Sequence, residues 1–101
     1  MESNFINKKV IIRGDRSGVF FGTLAAVSED GKKVKLENCR RLWYWDGAAS
    51  ISQLAVDGTV RPGECKFTMT VGEIIITDAI EIILCTDKAI KSIEEVSVWK
   101  R

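Results

Sequence analysis

Histidine is absent from this sequence of 101 residues, and cysteine occurs only three times. Without imidazole there is no Ser-His or Cys-His pair to activate a nucleophile. Cys39, Cys65 and Cys85 have no Cys-x-x-Cys spacing, and three thiolates cannot fill the four-coordinate shell of a structural zinc, so no metal is expected. They read as small buried hydrophobes of a reducing compartment. The phosphate-cradling P-loop, the Gly-x-Gly-x-x-Gly turn and the EF-hand spacing are all missing. The carboxylate pairs Glu29-Asp30 and Glu94-Glu95 are sequence neighbours, which in turns or helices marks a solvated surface. The chain is therefore not expected to be an enzyme, and no cofactor is implied.

Charge of one sign is also lacking. Fifteen Lys and Arg face fourteen Asp and Glu, a net charge of +1. Proteins that hold nucleic acid through many phosphates usually carry a basic excess, so the balance counts against nucleic acid as the main partner while leaving room for a local basic patch. No apolar run approaches the roughly 18 residues of a membrane span, and the opening MESNFINKK has no apolar signal region, which points to a soluble intracellular protein. The apolar fraction of 46% and charged fraction of 29% are those of a globular chain. Residues 1–101 are read as one β-rich domain. A chain this short buries only about 60–70% of its unfolded surface, so self-assembly would help it.

What is present is strand pattern. Residues 8–13 (KKVIIR) and 19–27 (VFFGTLAAV) flank the turn GDRSG, with a bulge or close backbone approach expected at Gly22. KKVKLE at 32–37 alternates polar and apolar residues, with Val34 and Leu36 inward, and closes a three-strand meander. RLWYW at 41–45 continues in strand composition. There Leu42 and Tyr44 share one side, and Arg41, Trp43 and Trp45 the other. Both sides are aromatic, so one should meet the core and the other a helix, a second subunit or a ligand.

Further along, Ser50-Ile-Ser-Gln53 has the form of a capping box, starting a helix of about two turns that Gly58 can end. A loop with the only proline, Pro62, leads to a strand at 66–71 in which Phe67, Met69 and Val71 alternate. Residues 73–86 divide into two strands at Thr77-Asp78, and Thr86 or Asp87 caps a helix through about Glu95 with Ala89, Ile90 and Ile93 on one side. VSVWKR is expected as an edge strand with Trp99 packed. The fold class is α+β: a small, strongly twisted antiparallel sheet or partial barrel of five to seven strands, with one short and one longer helix, oligomeric.

The densest feature is CRRLWYWDGAAS at 39–50. Arg40 and Arg41 beside Trp43, Tyr44 and Trp45 combine a guanidinium fork that matches phosphate oxygens with aromatic faces that stack on bases. Phe20 and Phe21, after the Arg13-Gly-Asp-Arg16 turn, repeat the combination, and Lys66-Phe67 does so more weakly. The candidate ligand-binding residues are thus Arg13, Arg16, Phe20, Phe21, Arg40, Arg41, Trp43, Trp45 and Phe67. The competing reading makes the aromatics core and interface filler and pairs the arginines with Asp46, Glu37 or solvent. Asp46-Gly47-Ala48-Ala49-Ser50 either lets an anion approach the amides of a helix start or simply turns the chain out of the sheet.

Several of these stretches together, Gly18-Val-x-Phe-Gly-Thr-Leu24, Arg41-Leu-Trp-Tyr-Trp45, Gly47-Ala48, Ser50-Ile-Ser-Gln-Leu-Ala55, Gly58, Cys65-Lys-Phe67, Glu73-Ile-Ile and Ile80-Glu-Ile-Ile83, resemble a family of short proteins of tailed phages and prophages. In size, charge balance and aromatic-arginine clustering the chain is similar to the Thoeris anti-defence sponges of the first type. That resemblance implies a non-catalytic homo-oligomer, a dimer or hexamer, in the cytoplasm of an infected bacterial host. It would sequester a cyclic nucleotide immune signal, a cyclic ADP-ribose isomer, a cyclic oligonucleotide or both. The alternative is a small β-barrel interaction module that contacts protein or single-stranded nucleic acid through the same aromatics.

Overall fold

The strand that opens the meander, β1 (Lys9–Gly14), is apolar on both faces, and this makes it a central strand. Val10 and Ile12 enter one hydrophobic cluster and Ile11 a second, all three fully buried. In this computed structural model, which describes residues 1–100, β1 lies between β2 (Val19–Val27) and β6 (Ala79–Leu84), antiparallel to each. β2 follows the same rule: Phe20 joins Val10 and Ile12, and Phe21 joins Ile11.

β3 (Val34–Tyr44) spans eleven residues, uniting the two stretches read from the sequence as 32–37 and 41–45. At Gly22 the ladder between β2 and β3 shifts register, as expected; a Cβ there would lie 3.0 Å from the Glu37 carbonyl oxygen and 3.2 Å from the Cys39 Cα. Glycine is needed because backbone, not a yielding side chain, occupies that space. Across from it Asn38 adopts a positive φ of 50° and bends β3.

The segment expected as one strand at 66–71 is divided. β4 (Lys66–Phe67) pairs with the far end of β3 at Tyr44 and Leu42, and β5 (Val71–Ile76) pairs with its near half from Cys39 to Val34. Between them Thr68 breaks the extended run, its amide donating to the Arg41 carbonyl and its hydroxyl accepting from the Arg41 amide, each at 3.0 Å.

The strand order is β4-β3-β2-β1-β6, with β5 on the same strand as β4. β5 and β6 are joined by Thr77 and Asp78 alone yet lie at opposite ends of that order. So short a link requires the sheet to curl into a partial barrel, and it stays open because β5 and β6 form no ladder with each other. Val10, Ile12, Phe20, Leu24, Val34 and Leu36 fill the interior.

The outer face is covered by two helices. In α1 (Ile51–Asp57) the Ser50 hydroxyl accepts the Gln53 amide at 3.1 Å, and the Gln53 side chain reaches back to the Ala49 amide at 2.7 Å, one residue short of the expected capping-box partner. α2 (Asp87–Glu95) is capped by Thr86, whose hydroxyl accepts the Ala89 amide at 3.1 Å. Leu54, Ala55, Ala89 and Ile93 close over Ile11, Phe21 and Leu42. The centre of the second face is therefore covered by the chain's own helices, while Ile75 of β5 and Ile80 of β6 stay exposed.

The carboxy-terminal edge strand does not form among the described residues, which end before Arg101. Val98 makes one parallel bridge to Phe67, and Trp99 donates its amide to the Phe67 carbonyl at 2.9 Å. Among the described residues no helix is long and apolar enough to cross a membrane.

Candidate functional site

Three of the nine residues picked out in the sequence meet at one cleft. Arg41, Trp43 and Trp45, from the end of β3 and the residue after it, face the β1–β2 turn and with Ser17, Gly18, Val19 and Leu42 line an open hollow of about 450 Å³. Hollows of similar volume lie elsewhere on the surface, one of about 410 Å³ beside Ile80 and Lys32, so the lining side chains and not the size single this one out. Trp45 reaches the cleft by a different route from that expected. β3 ends at Tyr44, so the alternation that pairs Trp43 with Arg41 does not extend to Trp45, which packs partly against the helix-side cluster.

The Arg41 guanidinium is held in place from two directions. It lies 4.4 Å from the centre of the Phe20 ring, and its Nη1 donates to the Ser17 carbonyl. Its remaining N–H groups have no acceptor among the described residues. Gly18, next to that carbonyl, has φ of +113°, and an added Cβ would lie 3.3 Å from the Arg41 Nη1; only glycine suits both the turn and the guanidinium. Trp43 keeps 59% of its surface exposed, a large apolar ring left in water at the mouth of a cationic hollow.

The β1–β2 turn is itself anchored. Asp78 accepts the Ser17 hydroxyl at 2.5 Å, the Arg16 amide at 2.8 Å and the Ser17 amide at 2.9 Å. The Ser17 hydroxyl, followed by the Arg16 amide, holds the Asp78 carboxyl below its usual range.

The other six candidates have different roles, and four of them are corrections to the stacking and phosphate-binding reading. Phe20, Phe21 and Phe67 are core residues, exposed by 2% or less, with no ring face open to a base. Arg40, only 5% exposed, turns inward. Its Nε donates to the Thr68 carbonyl at 2.9 Å, Nη1 to the carbonyls of Ile93 and Val96 at 2.9 and 3.0 Å, and Nη2 to that of Phe67 at 3.1 Å. It neutralises the negative end of α2 and ties it to β4. Arg13 pairs with Glu81 on the neighbouring strand at 2.7 Å, and Arg16 is exposed beside the turn without lining the cleft.

Two of the amides before α1 already have acceptors within the chain. That of Gly47 is taken by the Asp46 carboxylate at 2.7 Å, and that of Ala49 by Gln53. Asp46 pairs with Arg61 at 3.5 Å rather than with Arg40 or Arg41.

Sequence reasoning missed Ser17, Gly18 and Trp99. Trp99 stacks on Trp43, ring centroids 5.3 Å apart and planes 22° from parallel. The Lys66 ammonium lies 5.3 Å from the Trp43 ring centre and 5.6 Å from that of Trp99. The Asp-Arg-Ser-Gly turn directly before the Phe-Phe strand was a usable signal for the first two. No spacing rule links position 99 to 43.

The curled sheet and its helix cover make a small β-rich domain whose fold is similar to that of an Sm protein. A solved structure of an Sm protein of Pyrococcus abyssii in complex with a uridine heptamer superposes with a TM-score of 0.52 at 17% identity, covering 81% of this chain and 89% of that one. Residues 7–93 match the family described as Domain of unknown function (DUF6948), and the chain belongs to that family. No curated protein matches.

Proposed function

We propose that this protein is a non-catalytic nucleotide-binding protein that holds its ligand in the cleft between the Ser17-Gly18 turn and Trp43 and Trp45. The observation that carries this reading is the Arg41 guanidinium, fixed by Phe20 and Ser17 in an open cleft beside a 59% exposed indole. A base stacks on the indole, and a phosphate takes the free N–H groups of Arg41. Among the described residues Arg41 is the one charged group on the cleft wall and no carboxylate or thiol lines it, so the site suits holding a ligand and not cleaving it.

In its finer form the proposal makes the protein a phage anti-defence factor acting in the cytoplasm of an infected bacterium, withdrawing a cyclic ADP-ribose isomer or cyclic oligonucleotide from an immune pathway. It works as a homo-oligomer, a dimer or hexamer. Supporting self-assembly, β5 and β6 each present an unpaired outer edge, with Ile75 and Ile80 exposed by 65% and 51%. A second copy laid edge to edge would cover both.

The test is incubation with cyclic ADP-ribose isomers and cyclic oligonucleotides, followed by a melting scan and by heat release of the bound material. A raised Tm and recovery of an intact ligand are expected, with the rise lost in Arg41→Ala. A panel that leaves the Tm unchanged overturns the reading. A second reading, single-stranded RNA, is favoured by the uridine heptamer held by the Pyrococcus abyssii Sm protein. Its signature is a steep fall in affinity for a uridine oligonucleotide with added salt, reflecting release of several counterions.

A further inference from the structure

Resting on the nucleotide reading of the cleft, we propose a second base-and-phosphate subsite made by Trp99, Lys66 and the shared Trp43. The ligand class is then a phosphodiester-linked di- or oligonucleotide, with a single nucleotide filling only half of the site.

Trp43 belongs to two neighbourhoods at once. It lines the cleft with Arg41 and Trp45, and it stacks on Trp99 at 5.3 Å. Neither indole is consumed by that stacking: 59% of Trp43 and 37% of Trp99 stay exposed, and Tyr44 beside them is exposed as well. The hydrophobic cluster under this corner ends at Phe67, so the pair projects beyond the core that would otherwise explain it.

The platform is also held rigid. The Trp99 amide donates to Phe67, Val98 bridges Phe67, and Arg40 grips the Val96 carbonyl, fixing the chain just before Trp99. Ordering the rings in advance reduces the entropy lost when a base stacks on them. Lys66 brings an ammonium over both rings and pairs with no carboxylate among the described residues. A compact cation beside π faces answers a phosphate next to a base.

Because one residue joins the two neighbourhoods, a base placed at each would belong to adjacent nucleotides. The linking phosphodiester would lie between Arg41 on one side of the shared indole and Lys66 on the other. A lone aromatic corner would accept many apolar partners. This one carries an ammonium over its paired rings and a guanidinium in the adjoining cleft, and two cations beside stacked indoles favour an anionic, multi-ring ligand.

The experiment is a tryptophan fluorescence titration with uridine monophosphate, the linear dinucleotide pUpU and cyclic diuridine monophosphate. It is run on the full chain and on Lys66→Ala, Lys66→Arg and Trp99→Ala, with circular dichroism melts confirming that each is folded. At least one dinucleotide should bind about tenfold or more tightly than the mononucleotide, as one added stacked base implies. Lys66→Ala and Trp99→Ala should lose that advantage while leaving mononucleotide affinity unchanged, and Lys66→Arg should restore most of it. The linear and cyclic arms separate an open strand from a ring.

Equal affinity for mono- and dinucleotides overturns the second subsite and leaves the cleft intact. So does a dinucleotide advantage that survives Lys66→Ala. Failure of all three ligands to bind overturns the subsite, and the nucleotide reading falls with it only when the cyclic ADP-ribose and cyclic oligonucleotide panel also leaves the Tm unchanged. Should Trp99→Ala not fold, the Lys66 pair carries the same comparison.

Discussion

Asp78 accepts both the hydroxyl and the amide of Ser17, at 2.5 and 2.9 Å, and the carbonyl of that same serine accepts the Arg41 guanidinium. The two-residue link between β5 and β6 is thereby connected to the cation of the cleft through one side chain. The turn beside the cleft therefore depends on an ionised carboxylate. The folded carboxyl of Asp78 titrates below its ordinary value of 3.8, because the Ser17 hydroxyl and the Arg16 amide favour the charged form. Its stabilising contribution is therefore present above that value and lost as the pH falls through the lowered one.

Asp78→Asn should lower the Tm at neutral pH, and the gap from the parent protein should close as the pH is taken below about 4. Thermal melts across that range check it. A gap that stays constant into acid would show that the carboxylate charge is not what anchors the turn.

Arg40 gives a stability prediction with no consequence for ligand contact. Its guanidinium is buried, and burial lowers its pKa, but four backbone carbonyls receive it. Arg40→Ala strands those carbonyls and should cost about 3 kcal/mol, which for a domain of this size lowers the Tm by roughly 15 °C. Mononucleotide affinity, measured well below the new Tm, should not change. Arg41→Ala should do the reverse, weakening the ligand with little effect on melting.

The stacked indoles should be visible spectroscopically. Two tryptophans 5.3 Å apart and 22° from parallel couple their transitions, so the native protein should show a tryptophan exciton couplet in circular dichroism. Trp43→Phe and Trp99→Phe should each abolish it, whereas Trp45→Phe should leave it in place.

The three thiols are all buried, and burial pushes Cys39 and Cys85 up to about 12. At pH 8 their thiolate fraction is about one part in ten thousand. Thiol titration with a disulfide reagent should therefore be slow at these two positions in the native protein and complete within seconds in denaturant.

Legibility in the sequence tracked how local each cause was. Alternation in 34–37, the capping serine at 50, the break at Thr77-Asp78 and the glycine at 22 are short-range features, and the structure has each of them. The division of 66–71 into β4 and β5 was not legible, because it depends on which part of β3 each piece pairs with, β4 with Leu42 and Tyr44 and β5 with residues from Val34 to Cys39, a long-range choice.

At the site, composition pointed to the correct stretch but could not sort its members. Arg40 and Arg41 are neighbours in a strand, so one had to face each way. Only the placement of α2 shows that Arg40 faces inward. Phe20 and Phe21 divide in the same manner, and with helices on one face and a curled sheet on the other, neither is left for a base. Trp99 reaches Trp43 from 56 residues away by a single backbone bridge, a long-range event that no periodicity encodes.

The most direct measurement uses the three tryptophans as reporters, each giving one indole N–H signal in a nitrogen-correlated NMR spectrum. Titrating uridine monophosphate should move the Trp43 and Trp45 signals together with the Arg41 side-chain N–H, with a smaller effect at Trp99. If saturating nucleotide, mono- or dinucleotide, leaves all three indole signals in place, the cleft does not bind this class of ligand and the account is contradicted.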